Sequence, residues 1–284
     1  MARPFLLRIG PAALFLGVFF LVPLLVLFAY SFGSSTFVAI EFGTSLENYR
    51  GAFTRSLYPE LILRSVLIGL VTGLVCLGLA YPLAYAITLG PLRRRGDLVL
   101  FLVLVSLFSA YIVRVYAWRA LLGTNGAINS GLGALGVIDA PLEFLIYNRF
   151  AVVLTLVNVL LPIAVLPLYS ALSGVDRQLL EAARVLGASP WRAFREVTLP
   201  LSVGGVQTAF ALCFVLAAGD YVTPQLVGGT SGQLIGNVIA SRFGVAFDWP
   251  FGSALAFLLL LAMAACVGLF VLVCRALGLR DTPR

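Results

Sequence analysis

The sequence predicts an all-α, polytopic membrane protein with six transmembrane helices, and three observations carry that prediction. The 284 residues are 61% hydrophobic and only 11% charged, with a mean hydropathy of +1.05. A water-soluble domain cannot hide that much apolar surface, so the bilayer is the solvent that fits. The charged residues leave six uninterrupted runs, 9–40, 65–92, 98–113, 150–175, 197–219 and 249–274. About 20 helical residues cross a hydrocarbon core of roughly 30 Å, and five of the six runs exceed that length. The basic residues are also unevenly placed: with six spans and both termini inside, twelve fall on the inner side and seven on the outer side. That asymmetry is the one membrane orientation follows. The net charge of +7 therefore reads as topology, because the arginines are dispersed among apolar runs and form no nucleic-acid footprint.

Taken in order, the first span runs from Pro11 to Phe32. It is longer than the 7–15 apolar residues of a signal-peptide core, so it reads as a retained span that also serves as the targeting signal. The outer segment 33–60 follows, in which LENYRGAF reads as a short surface helix. The second span follows Arg64 and ends at Gly90-Pro91, where Arg93-Arg94-Arg95 marks the inner face. The third runs from 98 to about 118 and is the shortest. It borrows Ala117 and nearby aromatics, with Arg114 facing protein or water or snorkelling outward. Tyr111, Tyr116 and Trp118 suit an interfacial aromatic belt.

A Gly-rich outer stretch leads to the fourth span, 149–172, where Pro162 and Pro167 predict kinks. A loop at about 173–199 separates it from spans five and six, near 200–220 and 250–274, which the outer segment 221–249 joins. Two more charge-free stretches, 120–138 and 221–241, are interrupted by Gly, Asn, Thr and Ser and suit turns or re-entrant caps. The sequence shows no internal repeat and no second soluble domain, so a single membrane domain over 1–284 is expected. Cys76, Cys213, Cys266 and Cys274 fall in predicted spans without paired spacing, as small apolar packing residues do.

Absent residue types exclude several functions. All 19 basic residues are arginine, and a phosphate-binding P-loop needs its lysine, so no ordinary ATP site is available in this chain. There is no histidine, which removes His-based triads, His metal ligands and imidazole relays. The twelve carboxylates lie mostly at span ends. A membrane-embedded enzyme would need His, Cys or carboxylates clustered at one depth. A secondary transporter or channel working alone would need intramembrane coupling carboxylates or a repeated half. Neither pattern is visible, and no cofactor or metal is expected in this chain.

The loop 181–200, EAARVLGASPWRAFREVTLP, is the most informative segment. Asp176 suits the N-cap of a helix over 177–186. Leu179, Ala182, Ala183 and Leu186 recur at i, i+3, i+4 and i+7 as one apolar stripe, with Arg177, Glu181 and Arg184 on the other side. Gly187 suits the left-handed position that ends a helix. Ser189 and Pro190 then restart one, as N-cap and first helical residue, and Trp191 and Phe194 lie beside Arg192 and Arg195 before Leu199-Pro200 enters the fifth span. A compact amphipathic elbow results. Its caps and arginines alone also suit a helix lying on the anionic inner leaflet.

The spacing Glu181-Ala182-Ala183, Gly187, then Val197-Thr198-Leu199-Pro200 resembles the EAA loop of ABC-importer permeases, with Val197 where Ile is more usual. The resemblance implies the type I ABC-importer permease fold, in which this loop docks on an ATPase subunit. Docking would fall to Glu181, Ala182, Ala183, Gly187, Ser189, Pro190, Leu199 and Pro200. A second resemblance spans nearly the whole chain. VRVYAW at 113–118, NGAINSGLGALGVID at 125–139, the stretch from AAGDYVTP through SRF, and DWPFGSALAF look like the first permease subunit of spermidine/putrescine importers. Related permeases carry amino-acid derivatives, phosphonates and opine-type compounds. The implied partners are a second permease subunit of similar topology, two ATPase subunits carrying ATP and Mg, and an outer-side substrate-binding protein, all at the bacterial inner membrane. Asp220, at the outer end of a 23-residue charge-free run, is placed either to meet a cation from outside or to cap the following turn. Tyr221 beside it can stack on an ammonium. Tyr116 and Trp118 complete the candidate pathway. Arg114 and Arg119 oppose a cationic cargo unless carboxylates pair them.

Overall fold

In hydrocarbon every backbone N–H and C=O must find a protein partner, and a helix does so within its own segment. The computed structural model of the chain describes residues 14–35 and 40–279. The elements begin with α1 (Leu14–Tyr30), a two-stranded antiparallel ladder of β1 (Ser34–Ser35) and β2 (Ile40–Glu41), α2 (Glu47–Thr54) and α3 (Leu57–Thr88). Then come α4 (Gly96–Phe108), α5 (Tyr111–Leu122), α6 (Ala127–Ala134), α7 (Arg149–Ser173) and α8 (Arg177–Val185). The remainder is α9 (Pro190–Leu201), α10 (Val203–Ala218), α11 (Ile235–Gly244) and α12 (Trp249–Ala276).

Three helices, α3, α7 and α12, are long and apolar enough to cross a bilayer unbroken. Two helix pairs are apolar enough to cross when each is taken together, but both are bent: the segment ending in α4 meets α5 and α6 at 90°, and α9 meets α10 at 67°. With the shorter apolar α1, these helices occupy the six charge-free runs. The predicted start of the first span at Pro11 and both chain termini lie outside the described residues. LENYRGAF is helical, as α2, and the two Gly-rich stretches hold the short helix α6, a wide turn at Pro224–Gly228 and the start of α11.

The structure departs from the sequence reading at two places. The second span starts at Leu57 rather than after Arg64. Arg64 stays in the helix because its guanidinium reaches the Ser231 and Gln233 carbonyls at 3.2 and 3.4 Å. The third span, expected to run unbroken from 98 to about 118, breaks at Ser109-Ala110, whose ψ angles of 126° and 132° are extended. Just beyond the break, Arg114 is half-buried in protein and donates to the Val159 carbonyl at 3.1 Å. The fourth span keeps both prolines inside one continuous helix. Around Pro162, which offers no N–H to the preceding turn, neighbouring side chains donate to backbone carbonyls. The thiols of Cys76 and Cys213 reach Val157 and Leu160 at 3.7 and 3.6 Å, and Arg114 reaches Val159.

Two compact units divide the chain: Met1–Ile62 with Val238–Leu261, and Leu63–Asn237 with Ala262–Arg284. In the larger unit α7 packs most extensively on α10. Gly205 makes that approach possible, since a Cβ there would lie 2.5 Å from the Ala171 Cβ and 2.7 Å from the Pro167 carbonyl oxygen. Ala80, Ala84, Val115, Leu156 and Leu168 are among the buried core residues, and Phe210 stacks on Phe270 with ring centres 3.8 Å apart. In the smaller unit Asn48 ties the start of the ladder, donating to the Ser31 and Gly33 carbonyls at 3.0 and 2.8 Å. There Arg242 pairs with Asp248 at 3.2 Å, donates to the Tyr58 hydroxyl at 2.9 Å and lies over the Phe251 ring.

Candidate functional site

The elbow is built from local signals that each find a partner. Asp176 caps α8 by accepting from the Gln178 N–H at 2.9 Å. At the other end Gly187 adopts φ +84°, with its N–H on the Arg184 carbonyl and that of Ala188 on the Ala183 carbonyl, both at 2.9 Å. This paired closure satisfies carbonyls the helix leaves open, and it needs a residue that enters the left-handed region without strain. Ser189 then accepts from the Arg192 N–H at 3.3 Å to cap α9, with Pro190 at its first position. Arg192 and Glu196 pair at 3.0 Å on the exposed side.

The apolar stripe of α8 faces away from its own body. Leu179, Ala182 and Leu186 are exposed with Glu181, and Ala183 is half-buried. Leu186 is 87% exposed and Trp191 70%. The opposite side of the elbow is held to α3. Phe194 meets Tyr81 and Tyr85 edge-on, at ring distances of 5.8 and 6.1 Å, and stacks on Trp191 at 5.3 Å. The Tyr81 and Ser202 hydroxyls bond at 2.9 Å. Arg177 donates to the carbonyl of Thr88 at 2.8 Å. Thr88 is the last residue of α3, where carbonyls lack helical partners and the dipole favours a cation. A polar crease of about 510 Å³ lies at this root, lined by Thr88, Arg93, Asp97, Tyr169, Asp176 and Arg177 among others. Of the predicted docking residues, Leu199 and Pro200 are half-buried where α9 turns into α10, apart from the exposed Glu181, Ala182, Ser189 and Pro190.

At the other end of α10, Asp220 is half-buried. Its carboxylate accepts from the N–H groups of Val222 and Thr223 at 3.0 and 3.2 Å, so it does cap the following turn. It also accepts from the Tyr111 hydroxyl at 2.7 Å, and that hydroxyl bonds to the Thr223 hydroxyl at the same distance. Tyr221, beside it, is 47% exposed, and its carbonyl accepts from Asn237 at 2.8 Å. Trp118 packs against the core on the side of α5 that carries Tyr111, whereas Tyr116 is exposed on another side with Ile112 and Val113. The structure thus joins Asp220 to Tyr111 and leaves Tyr116 apart.

The chain matches the family described as the binding-protein-dependent transport system inner membrane component over residues 3–280. The chain belongs to that family. The permease is 37% identical over 259 residues to the spermidine/putrescine transport system permease protein PotB of Escherichia coli K12, covering 90% of this chain and 91% of that one. It is 36% identical over 252 residues to PotB of Haemophilus influenzae, covering 88% and 86%. It is also 31% identical to the E. coli inner membrane ABC transporter permease protein YdcU, covering 88% and 83%. Among solved structures it resembles a bacterial ABC transporter involved in import of the acidic polysaccharide alginate, with a TM-score of 0.75 over 97% of this chain and 96% of that one. Identity there is 15%, so that likeness speaks to fold alone. The fold is the type I importer permease fold, and the chain is the non-catalytic membrane component of an ABC importer at the inner membrane, whose ATPase is a separate subunit.

Two groupings escaped the sequence. Tyr111 was absorbed into an aromatic belt, and only its place at the start of α5, 109 residues from Asp220, reveals it as a partner. The anchoring of Phe194 and Arg177 to α3 likewise has no local signature.

Proposed function

We propose that this permease is the first permease subunit of a polyamine importer, paired with a second permease subunit of similar topology. Two ATPase subunits supply ATP and Mg²⁺ chemistry, and an outer-side binding protein delivers spermidine or putrescine. The elbow and both termini lie on the cytoplasmic side. The single observation that carries the reading is the elbow itself. It turns the stripe of Leu179, Ala182 and Leu186 outward, as a face awaiting a partner does. Behind that face, Phe194 and Arg177 attach it to α3. A push on the exposed side is thereby passed to a spanning helix, which is what ATP-driven switching between inward and outward openings demands. Glu181, Ala182, Ala183, Gly187, Ser189 and Pro190 shape the docking surface, and Leu199 and Pro200 seat it.

The polyamine assignment rests on likeness to the two PotB proteins over about nine-tenths of the chain. Asp220 supplies the chemistry: among the described residues its donors are the Tyr111 hydroxyl and the Val222 and Thr223 N–H groups, all neutral, so no cation there competes with an ammonium. Tyr221 offers an exposed ring for cation–π contact beside it. A second reading, an importer of an amino-acid derivative, opine or phosphonate, is favoured by the half-buried Arg114, which suits an anionic group.

The test is uptake by the reconstituted complex. Asp220→Asn keeps the shape and removes the charge, so spermidine uptake is expected to fall about tenfold, the scale of one charge-assisted hydrogen bond. Glu143→Gln, the control, is expected to leave uptake intact. Unchanged uptake in Asp220→Asn rejects the charge role, and a binding protein that prefers an anion rejects the polyamine cargo.

A further inference from the structure

Helix α5 serves two opposite charges from one face. Tyr111 in its first turn holds the Asp220 carboxylate. One turn later Arg114 gives Nη1 to the Val159 carbonyl at 3.1 Å, while its buried Nε has no hydrogen-bond partner among the described residues. Neither Asp220 nor Arg114 forms an ion pair among the described residues. A half-buried carboxylate and a half-buried guanidinium therefore stand near the same helix face, each held only by neutral groups. Charges withdrawn from water in this way are under-compensated, and removing the partner of such a charge is costly.

Residues three apart on a helix have Cβ atoms about 5–6 Å from each other, and tyrosine and arginine side chains extend to similar lengths. Arg114 lies one turn along α5 from the Tyr111 that touches the carboxylate, and the extended Ser109-Ala110 link immediately precedes that turn.

We propose that Arg114 is the internal counter-ion of Asp220, alternating with the ammonium of the cargo. In the loaded pathway the ammonium holds the carboxylate and Arg114 rests on the Val159 carbonyl. Once cargo has left, Arg114 takes the carboxylate, and the Tyr111 hydroxyl holds Oδ2 in between. The proposal rests on reading Asp220 as the residue that meets a cationic cargo. Its physical basis is the return step: an importer must close empty, and a bare carboxylate in a passage without water is unfavourable. A resident cation removes that cost and, by competing for the same oxygen, helps to eject the cargo. The half-buried arginine that argued against a cation pathway then becomes part of one.

The test uses the complete complex in proteoliposomes, with both permeases, the ATPase subunits and the binding protein. Arg114→Gln, Arg114→Lys, Asp220→Asn and the double variant Arg114→Gln with Asp220→Asn are compared for maximal spermidine uptake and for half-saturating spermidine. Arg114→Gln is expected to lower maximal uptake about tenfold, the scale on which neighbouring charges couple, and to lower the half-saturating concentration because cargo is retained. Arg114→Lys is expected to keep most of the rate. With Asp220→Asn already present, Arg114→Gln is expected to cost nothing further. Additive losses in the double variant, or a Lys variant as impaired as the Gln variant, overturn the proposal. If Arg114→Gln fails to assemble, Arg114→Met, which keeps the bulk and removes the charge, measured with and without Asp220→Asn reads the same coupling. Unchanged uptake in Asp220→Asn alone refutes the cargo role of Asp220 and this proposal with it. Lowered uptake in Asp220→Asn with no coupling to Arg114 refutes only the counter-ion.

Discussion

Replacing Phe194 with alanine loosens the elbow from α3 and frees Trp191 while leaving the outward stripe of Leu179, Ala182 and Leu186 in place. The ring makes two edge-on contacts with α3, to Tyr81 and Tyr85. Such pairs contribute about 0.5–1.5 kcal/mol each beyond the area they bury, or about 1–3 kcal/mol together. Phe194 is half-buried, and losing half of a buried aromatic side chain costs about 1 kcal/mol more. The attachment should weaken by about 3 kcal/mol, on the order of a hundredfold in the attached population. The bond between Tyr81 and Ser202 and that from Arg177 to Thr88 remain, so insertion should be normal. Leu179 and Leu186 also remain exposed, so the ATPase subunit should still associate. What should fall, several-fold, is spermidine taken up per ATP hydrolysed in proteoliposomes containing the full complex and its binding protein. Phe194→Leu keeps apolar bulk and loses the ring edges, and should fall between the two. An unchanged ratio of uptake to hydrolysis in Phe194→Ala would refute the view that this ring transmits the push.

Two further outcomes are expected. Gly187→Val places a β-branched residue at φ +84°. No atom lies within 4 Å of the added Cβ, so the cost is backbone strain alone, about 1–2 kcal/mol. Helix α8 should be displaced and ATPase association reduced in pull-downs, while membrane insertion is preserved; full association would show that the turn conformation is not needed. In a chain freed of its four cysteines, a single cysteine at Ser130 should react with an impermeant thiol reagent from outside, and one at Ser189 only from inside. The reverse pattern would overturn the orientation.

The class of fold was readable because a bilayer forces length and apolarity onto each span, and α1, α3, α7, α10 and α12 sit in the charge-free runs. The elbow was readable because its determinants are local: Asp176, Gly187, Ser189 and Pro190 each act within a few residues of themselves. The break at Ser109-Ala110 was not, since no proline or glycine marks it. Its surroundings are tertiary: the turn that follows it places Tyr111 on Asp220 and Arg114 on the Val159 carbonyl. Asp220 could be singled out as a charge at the end of an apolar run, but whether it capped a turn or faced cargo depended on neighbours distant in sequence. The structure supplies the cap and adds Tyr111. Arg64 misled the start of the second span for a similar reason, because its backbone partners at Ser231 and Gln233 lie in a loop far along the chain.

The most direct test of the central claim, that the elbow is where the ATPase subunit acts on this permease, is site-specific crosslinking within the intact complex. A photoreactive side chain at Leu186, on the outward stripe, should crosslink to the ATPase subunit, and the same probe at Ser130 should not. Loss of the Leu186 crosslink with the complex still assembled and transporting, or an equal crosslink from Ser130, would contradict the account.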